Sequence, residues 1–246
     1  MSTITHFFDK TAQKNLPDKK VKNFPEVWQK EYFKTYPRFP QIEMPVPKEI
    51  LQSIDGVIRN RKSTRQFINK DLDLQTLSTL LFYSAGISAL PDTKLPFSRR
   101  VYPSAGARYP LEVYINIIAP SPNIPSGTYH YNVQKHSLEQ LPFEINKNIL
   151  EKRVLQGANG DILKTASMVI FISAAFQRTH IKYGNASFRY ICMEAGHMMQ
   201  NIYLIGEALG LGCCAVGGFV DSNANKLFYL YPSKERMLYI GILGVR

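Results

Sequence analysis

The sequence predicts an α+β domain, and three observations lead to that prediction. Apolar, β-branched runs at residues 111–119 and 168–174 are typical of buried strands. Apolar side chains recur at helical spacing over residues 187–209. These elements alternate without the regular rhythm of strand–helix–strand units, so a doubly wound parallel sheet is not expected.

The chain is predicted to begin with an arm and two helices. Residues 1–47 carry many of the prolines and little periodicity, which predicts an N-terminal arm wrapped on a domain formed by residues 48–246. A first helix is predicted over residues 48–59 by four apolar residues at helical spacing: Ile50, Ile54, Val57 and Ile58. Asp73 is a favourable N-cap for a second helix that ends at Gly86.

The middle and the end of the chain carry the remaining elements. Residues 128–133 and 137–141 flank a polar turn and predict a hairpin. The helix over residues 187–209 is predicted to be the longest. Asp221 predicts the N-cap of a short helix, and residues 237–243 predict a closing strand.

Composition bounds the class of protein. The 246 residues are 45% hydrophobic, which is enough for one well-buried core. The net charge of +11 would suit a nucleic-acid-binding protein, but the lysines of the first 34 residues form no stripe on a periodic helix, so a solvated basic face is favoured. Neither a signal peptide nor a membrane span is indicated, and three cysteines cannot form a disulfide framework. We therefore expect a soluble, cytoplasmic protein that binds neither nucleic acid nor membrane.

Several chemistries are disfavoured by the motifs. Phosphate-binding and dinucleotide-binding glycine loops are missing, as are HExxH and GxSxG. Glu194 and His197 form one Glu-x-x-His pair, whereas a di-iron bundle needs two such pairs and further glutamates. We therefore expect no metal site and interpret this pair as helix packing. Cys213 and Cys214 lie in an apolar run and are interpreted as inert core thiols.

Three segments together indicate a flat cofactor that bears a phosphate. Residues 61–65 place cations and hydroxyls, which donate to phosphate oxygens, at the end of a predicted helix. The small residues Pro103, Ser104, Ala105, Gly106 and Ala107 would let backbone approach a flat ring closely. Gly217 and Gly218 could present backbone amides to a ligand. Taken singly, each segment could equally be a solvated loop or a plain turn.

The order of several motifs resembles one family. The sequence runs RKSTRQF (61–67), YPSAGARYPLEVY (102–114), IKYGNASFRY (181–190), EAGHMMQNIYLIGEALGLG (194–212) and GGFVD (217–221) resemble the SagB-type, or McbC-like, branch of the nitroreductase superfamily. This resemblance covers nearly the whole chain from about residue 6. It implies a nitroreductase-like fold, with a central antiparallel or mixed sheet flanked by helices, that forms a homodimer with one FMN in each of two clefts between the subunits.

The resemblance also implies residue roles. Arg61 and Ser63 would hold the phosphate and ribityl end of FMN, and Arg65 would meet the pyrimidine edge. Residues 103–107 would lie against the flavin ring, and the amides of Gly217 and Gly218 would point at N5 and O4. Two departures from the family pattern follow: Ala107 replaces the asparagine of many relatives, and Arg246 would stand in for a C-terminal basic pair that clamps the phosphate.

Lys182 and Tyr183 resemble the Lys-Tyr pair of azoline dehydrogenases. Conversion of a thiazoline or oxazoline to an azole removes an α-proton and a β-hydride. A lysine whose pKa is lowered by burial, or a tyrosine made more acidic by a nearby lysine, could take the proton. The expected substrate is an azoline-containing peptide or small molecule, and a cyclodehydratase complex is a conceivable partner. The alternatives are a general NAD(P)H-dependent nitro- or quinone reductase, which needs no Lys-Tyr pair, and a non-catalytic flavoprotein subunit of a peptide-modifying complex.

Overall fold

The computed structural model describes residues 9–11, 25–26, 31–68, 70–91, 97–231 and 233–246. Its main sheet has seven antiparallel strands in the order β1-β6-β5-β4-β7-β9-β8. The nine described strands are β1 (Gln41–Glu43), β2 (Ile87–Ala89), β3 (Arg99–Arg100), β4 (Leu111–Ile117), β5 (Gly127–Asn132), β6 (Ser137–Leu141), β7 (Met168–Ala175), β8 (Leu211–Val216) and β9 (Glu235–Val245). Strands β2 and β3 pair in a separate two-stranded sheet. The predicted α+β class is confirmed.

Helices cover both faces of the main sheet. The described helices are α1 (Ile54–Asn60), α2 (Leu74–Ala85), α3 (Lys147–Ile149, continued by a π-helical turn at Leu150–Val154), α4 (Ala158–Asp161, continued by a 3-10 turn at Ile162–Thr165), α5 (Gln177–Tyr183), α6 (Ser187–Ala208) and α7 (Asp221–Leu227). None of the helices in the described ranges is long and apolar enough to cross a membrane.

The core has two halves because side chains alternate across a strand. Val113, Ile115 and Ile117 of β4 face the half that α2 and α6 cover. Tyr114, between them, faces the other half, where it meets the side chains of α3, α4 and α7. Each strand of the centre is therefore buried on both faces, which explains why β4 and β7 are apolar almost throughout.

Several predicted elements are confirmed. The side chain of Asp73 accepts a hydrogen bond of 2.9 Å from the amide of Thr76, so it is the N-cap of α2, which ends before Gly86. Strands β5 and β6 pair in an antiparallel hairpin. Cys213 and Cys214 are buried, as expected of core thiols.

Two helix starts differ from the prediction. Helix α1 begins at Ile54 and not at residue 48, and only its Val57 is buried, whereas Ile54 and Ile58 are 66% and 56% exposed. The apolar periodicity is real, but it marks a face that the described core does not cover. Asp221 is the first residue of α7 and not its N-cap, which is Val220 with no side-chain capping bond.

The described part of the predicted arm, residues 31–47, lies on the sheet. Residues 41–43 form β1 at the edge of the sheet, a strand that the sequence did not predict. Lys34 donates to the carboxylate of Glu235 at 2.6 Å, and the ring of Tyr36 packs edge-on against His130 at 5.1 Å. Most of residues 1–30 lie outside the described residues, so the arm and its boundary at residue 47 stay a prediction.

Candidate functional site

The loop at residues 103–107 is fixed to helix α6 by one carboxylate. The hydroxyl of Ser104 and the amide of Ala105 donate to the same oxygen, Oε1 of Glu194, at 2.9 and 3.0 Å. Ser104 Oγ also accepts from the amide of Tyr109 at 2.9 Å, which closes the loop on itself. These three bonds hold the loop in place against α6.

The backbone of this loop turns through two left-handed residues. Gly106 has φ +62° and ψ +26°, and Ala107 has φ +53°. Glycine adopts this region without strain. Alanine adopts it only with a steric penalty, and asparagine adopts it more readily than alanine. The departure of Ala107 from the family's asparagine therefore falls on a position where the backbone itself favours asparagine.

Glu194 is the first residue of the Glu-x-x-His pair, which we interpret from the sequence as helix packing. It is 2% exposed, whereas His197 on the same helix is exposed, so the two do not form a joint site. Burial raises the pKa of Glu194 to about 7, although the hydrogen bonds from Ser104 and Ala105 oppose the shift. Its other oxygen, Oε2, is buried and meets no hydrogen-bond partner among the described residues. Within the same residues, no cluster of three or more His, Cys, Asp or Glu could hold a metal ion.

Lys182 and Tyr183 meet the same loop at its glycine. A Cβ placed on Gly106 would lie 2.7 Å from Lys182 Nζ and 2.6 Å from Tyr183 Oη. Both side chains are partly buried at the C-terminal end of α5, and the ring of Tyr183 packs edge-on against Tyr190 at 5.0 Å. Two groups about 76 residues from the loop in sequence therefore end at its tip, and glycine is needed there both for φ and for space.

The charges around the pair distinguish the two proton acceptors considered from the sequence. Burial, and next the positive charge of Arg108, lower the pKa of Lys182. Burial raises the pKa of Tyr183, and the neighbouring Tyr190 and Glu194 raise it further, against Arg108. The pKa shift of Tyr183 is thus opposite to the more acidic tyrosine considered from the sequence, because burial outweighs the charge of Arg108. The lowered pKa of Lys182 agrees with the other expectation.

The predicted phosphate residues lie at a second place, beside strand β8. Ser63 pairs with Cys213 through a backbone bridge, and its hydroxyl lies 3.0 Å from Tyr203 Oη. The guanidinium of Arg61 lies over the ring of Tyr203, 5.3 Å from its centroid. Arg65 is exposed, and its charge reaches Cys214. Arg61 and Ser63 thus both contact the side chain of Tyr203, and all three residues lie beside β8.

Gly217 and Gly218 follow directly after β8 and are exposed. A Cβ on Gly217 would meet no atom of the described residues within 4 Å, and the carbonyl of Gly218 accepts from Asn159 Nδ2 at 2.9 Å. The backbone at Gly217 therefore faces open space, as a segment that approaches a ligand would.

Arg246 lies at the opposite end of β8. Its amide donates to the carbonyl of Gly210 at 3.4 Å, and its guanidinium makes a two-pronged ion pair with Glu207 at 2.8 and 2.9 Å. Gly217 is seven residues further along, which is roughly 20 Å of strand. The structure thus brings Arg246 near neither Gly217 nor the loop at residues 103–107, and its guanidinium is already engaged by a carboxylate.

Helix α6 connects the two places. Glu194 holds the loop that meets Lys182 and Tyr183. Tyr203, nine residues and about 14 Å further along the helix, contacts Ser63 and accepts from the amide of Ala215 at 2.8 Å. Sequence reasoning assigned neither residue to the site. The sequence signal for Glu194 is a carboxylate on the apolar face of a helix, because such a residue is rarely buried unless it has a bonding partner.

Comparison with known proteins places this arrangement in a family. A model described as the nitroreductase family matches residues 58–245. A nitroreductase-named protein of Methanocaldococcus jannaschii is 32% identical over 194 residues, which are 78% of this chain and 92% of that protein. The microcin B17-processing protein McbC of Escherichia coli is 27% identical over 176 residues, which are 70% of this chain and 62% of McbC.

Solved structures agree on the fold. A nitroreductase structure from Anabaena variabilis superimposes with a TM-score of 0.72 at 26% identity, over 97% of this chain and 45% of that one. The Escherichia coli microcin synthetase McbBCD complex, with truncated pro-MccB17 bound, gives a TM-score of 0.62 at 22% identity over 99% of this chain and 91% of that one. The chain spans about half to two thirds of McbC and of the Anabaena chain. It belongs to the nitroreductase family of oxidoreductases.

Proposed function

We propose that this protein is an FMN-dependent dehydrogenase of the SagB-type branch that oxidises thiazoline or oxazoline rings to azoles. The observation that carries the proposal is that Lys182 Nζ and Tyr183 Oη both lie against Gly106, at the tip of the loop assigned to the flavin ring. A processing role in peptide biosynthesis is supported by the relative McbC. The flavin is supported by a family member whose structure was solved with FMN.

The described residues fit FMN. Gly106 and Gly217 give backbone without side chains at two places where a flat ring would need close approach. Arg61, Ser63 and Arg65 offer guanidinium and hydroxyl donors for the phosphate, the ribityl chain and the pyrimidine edge. Lys182 would lie beside the flavin ring and Arg61 beside the phosphate, in keeping with the separation of their neighbours Glu194 and Tyr203 along α6.

The chain's own residues would handle the proton. The α-carbon of an azoline is acidified by the adjacent C=N and carbonyl, so a base of moderate strength suffices. Lys182, whose pKa is lowered by burial and by Arg108, would accept this proton at Nζ. Tyr183 keeps its proton and would orient the ring by hydrogen bonding. Bound FMN would supply the acceptor for the hydride that leaves the β-carbon.

The second subunit is proposed from an exposed apolar face. Leu51, Ile54 and Ile58 are 85%, 66% and 56% exposed, at and just before α1, whose other end leads to Arg61. A homodimer would cover this face and place partner residues beside the cofactor. The Ile54→Asp variant should shift the protein toward monomer and weaken FMN binding, because a carboxylate cannot be buried there without a partner. Light scattering at micromolar concentration checks this; a dimeric variant would contradict the assigned surface.

The test of function uses the Lys-Tyr pair. Lys182→Ala and Tyr183→Phe should each retain FMN and lower azoline oxidation, by about 100-fold or more for the lysine, the usual contribution of a positioned base. The double variant should be little worse than the worse single one, since the two act as a unit. Lys226→Ala and Tyr229→Phe, at exposed positions, are the matched controls.

The alternatives predict different outcomes of the same test. A general reductase would oxidise NADPH with a quinone at undiminished rate in both variants and would leave azolines unchanged. A non-catalytic subunit would bind FMN and turn over neither substrate. Full azoline oxidation by both single variants would contradict the proposed roles. A cyclodehydratase partner is proposed from the likeness to McbC and would be tested by co-purification of the two proteins.

A further inference from the structure

Two arginines tie the loop after Gly106 to helix α5. Arg108 Nε donates to the backbone carbonyl of Arg178 at 2.8 Å, and Arg178 Nη1 donates to the backbone carbonyl of Tyr109 at 3.0 Å. Each guanidinium thus binds the backbone of the other's segment, across a separation of about 70 residues. We call this reciprocal pair of bonds, made by Arg108 and Arg178, the arginine clasp.

The clasp is anchored in the sheet. The Nη2 nitrogen of Arg178 forms an ion pair with Glu112 of β4. Glu112 in turn bonds His130 at 3.0 Å, and His130 bonds Glu139 at 2.9 Å. Burial lowers the pKa of His130, but the two carboxylates outweigh burial and raise it. Burial raises the pKa of Glu112, but the charge of Arg178 and the bond to His130 bring it down to about 2. Arg178 is therefore fixed to a buried row of hydrogen-bonded side chains.

The carbonyl that Arg108 holds belongs to the turn that carries Lys182. In an α-helix the amide of residue i donates to the carbonyl of residue i−4, so the carbonyl of Arg178 is also the acceptor for the amide of Lys182. Helix α5 has only seven residues and ends at Tyr183, before Gly184 with φ +52°. The last turn of so short a helix frays readily unless it is held from outside.

We propose that Arg108 and Arg178 are positioning residues for Lys182 and Tyr183: the arginine clasp holds helix α5 so that its last turn stays against Gly106. The charge of Arg108 also favours the uncharged amine of Lys182. This inference rests on the proposed function for its catalytic meaning. Arg108 is 4% exposed, so its charge is little screened by water. Three charged or titratable groups act on the pair from the surrounding elements: Arg108 on both residues, and Tyr190 and Glu194 on Tyr183. Arg108 in turn is faced by Tyr32 and Arg178.

The first experiment measures Lys182 without any azoline. The apo and FMN-loaded proteins are labelled with acetic anhydride over a range of pH, and the acetylation of Lys182 is compared with that of exposed Lys226 by mass spectrometry. Arg108→Gln should slow the labelling of Lys182 near neutral pH about threefold, the effect expected of one charge at a partly solvated distance of several ångströms. Arg108→Lys, which keeps the charge, should restore most of it. Arg189→Gln removes an exposed cation on α6 and is the matched control.

A second variant tests the clasp if Arg108→Gln fails to fold. Arg178→Lys can keep the ion pair with Glu112 but cannot also reach the Tyr109 carbonyl with a planar fork. Amide hydrogen exchange over residues 180–183 should then accelerate at least tenfold, with exchange in α2 unchanged. Unchanged labelling in Arg108→Gln, equal loss in Arg108→Lys, or unchanged exchange in Arg178→Lys would overturn the proposal. Azoline oxidation by the wild-type protein is assayed separately, so its failure would refute the proposed function and leave these measurements readable.

Discussion

Two positions along helix α6 carry sites of opposite character: the loop end, at Glu194, and the β8 end, at Tyr203. At the loop end, Glu194 and the arginine clasp fix the loop at residues 103–107 and helix α5 through hydrogen bonds. At the β8 end, Arg61 and Arg65 are partly or fully exposed, and Gly217 faces open space. The loop end is therefore organised before any ligand arrives, whereas the β8 end keeps its donors in water.

The difference follows from what each end is proposed to do. A base must stand within a few tenths of an ångström of its productive position, because a displacement of about 1 Å can cost roughly 100-fold in rate. A phosphate is held by several charge-assisted hydrogen bonds, so the loss of one weakens binding and leaves the reacting atoms in place. Variants at the loop end should therefore change rate, and variants at the β8 end should change affinity.

Gly106→Ala is expected to have the largest effect. The new methyl would lie within 2.7 Å of the tips of Lys182 and Tyr183 and displace both. Since these tips are flexible, the free energy of unfolding should fall by only about 1–2 kcal/mol, the strain of a left-handed alanine. Azoline oxidation should fall about 100-fold. Steady-state kinetics and urea unfolding measure the two effects.

Gly210→Ala is the matched control for that variant. Gly210 also has a positive φ, +74°, but a Cβ there meets nothing within 4 Å among the described residues. It should show a similar loss of stability with nearly full activity. Equal losses of activity in the two variants would mean that backbone strain, and not displacement of the Lys-Tyr pair, is responsible.

Arg61→Ala should have an intermediate effect, confined to affinity. Loss of one charge-assisted phosphate bond is worth about 1.5–3 kcal/mol, or roughly 10- to 150-fold in the dissociation constant of FMN. Once saturated with FMN, the variant should oxidise substrate at nearly the wild-type rate. Fluorescence titration with FMN measures the affinity, and Lys226→Ala removes an equal, exposed charge outside the set at residues 61–65 as a control. Unchanged affinity in Arg61→Ala would move the phosphate site elsewhere.

Glu194→Gln should have an effect on stability that appears only against pH. Because burial raises the pKa of Glu194 from 4.5 to about 7, the folded state prefers the protonated carboxyl. Its contribution to stability is full below pH 4.5 and is lost as pH rises toward about 7, with a slope of at most about 1.4 kcal/mol per pH unit for one proton. The glutamine keeps an acceptor for Ser104 and Ala105, so its stability relative to wild type should grow across this range.

Urea unfolding of both proteins between those two pH values measures the difference. Glu207→Gln removes another carboxylate of α6, one that is paired with Arg246, and serves as the control. A constant difference between Glu194→Gln and the wild type would show that the carboxyl is not protonated within the folded loop end.

The sequence predicted elements well where local chemistry decides them. The Asp73 cap, the β5–β6 hairpin and the buried strands β4 and β7 all follow from cap residues, turn residues and apolar runs. Strand β1 could not be predicted, because a run of only three residues becomes a strand only when the edge of β6 offers partners. The start of α1 was placed six residues early for the same reason, since its apolar periodicity faces away from the described core.

The sequence by itself determined the chemical groups: a lysine beside a tyrosine, small residues at 103–107, cations at residues 61–65 and a glycine pair after an apolar run. Only the tertiary structure decided which of them meet. It joined Lys182 and Tyr183 to Gly106, added Glu194, Arg108 and Arg178 as their supports, and engaged Arg246 with Glu207. The physical reason is that burial, charge balance and bonds between segments 70 or more residues apart depend on the packed arrangement, which local sequence patterns do not encode.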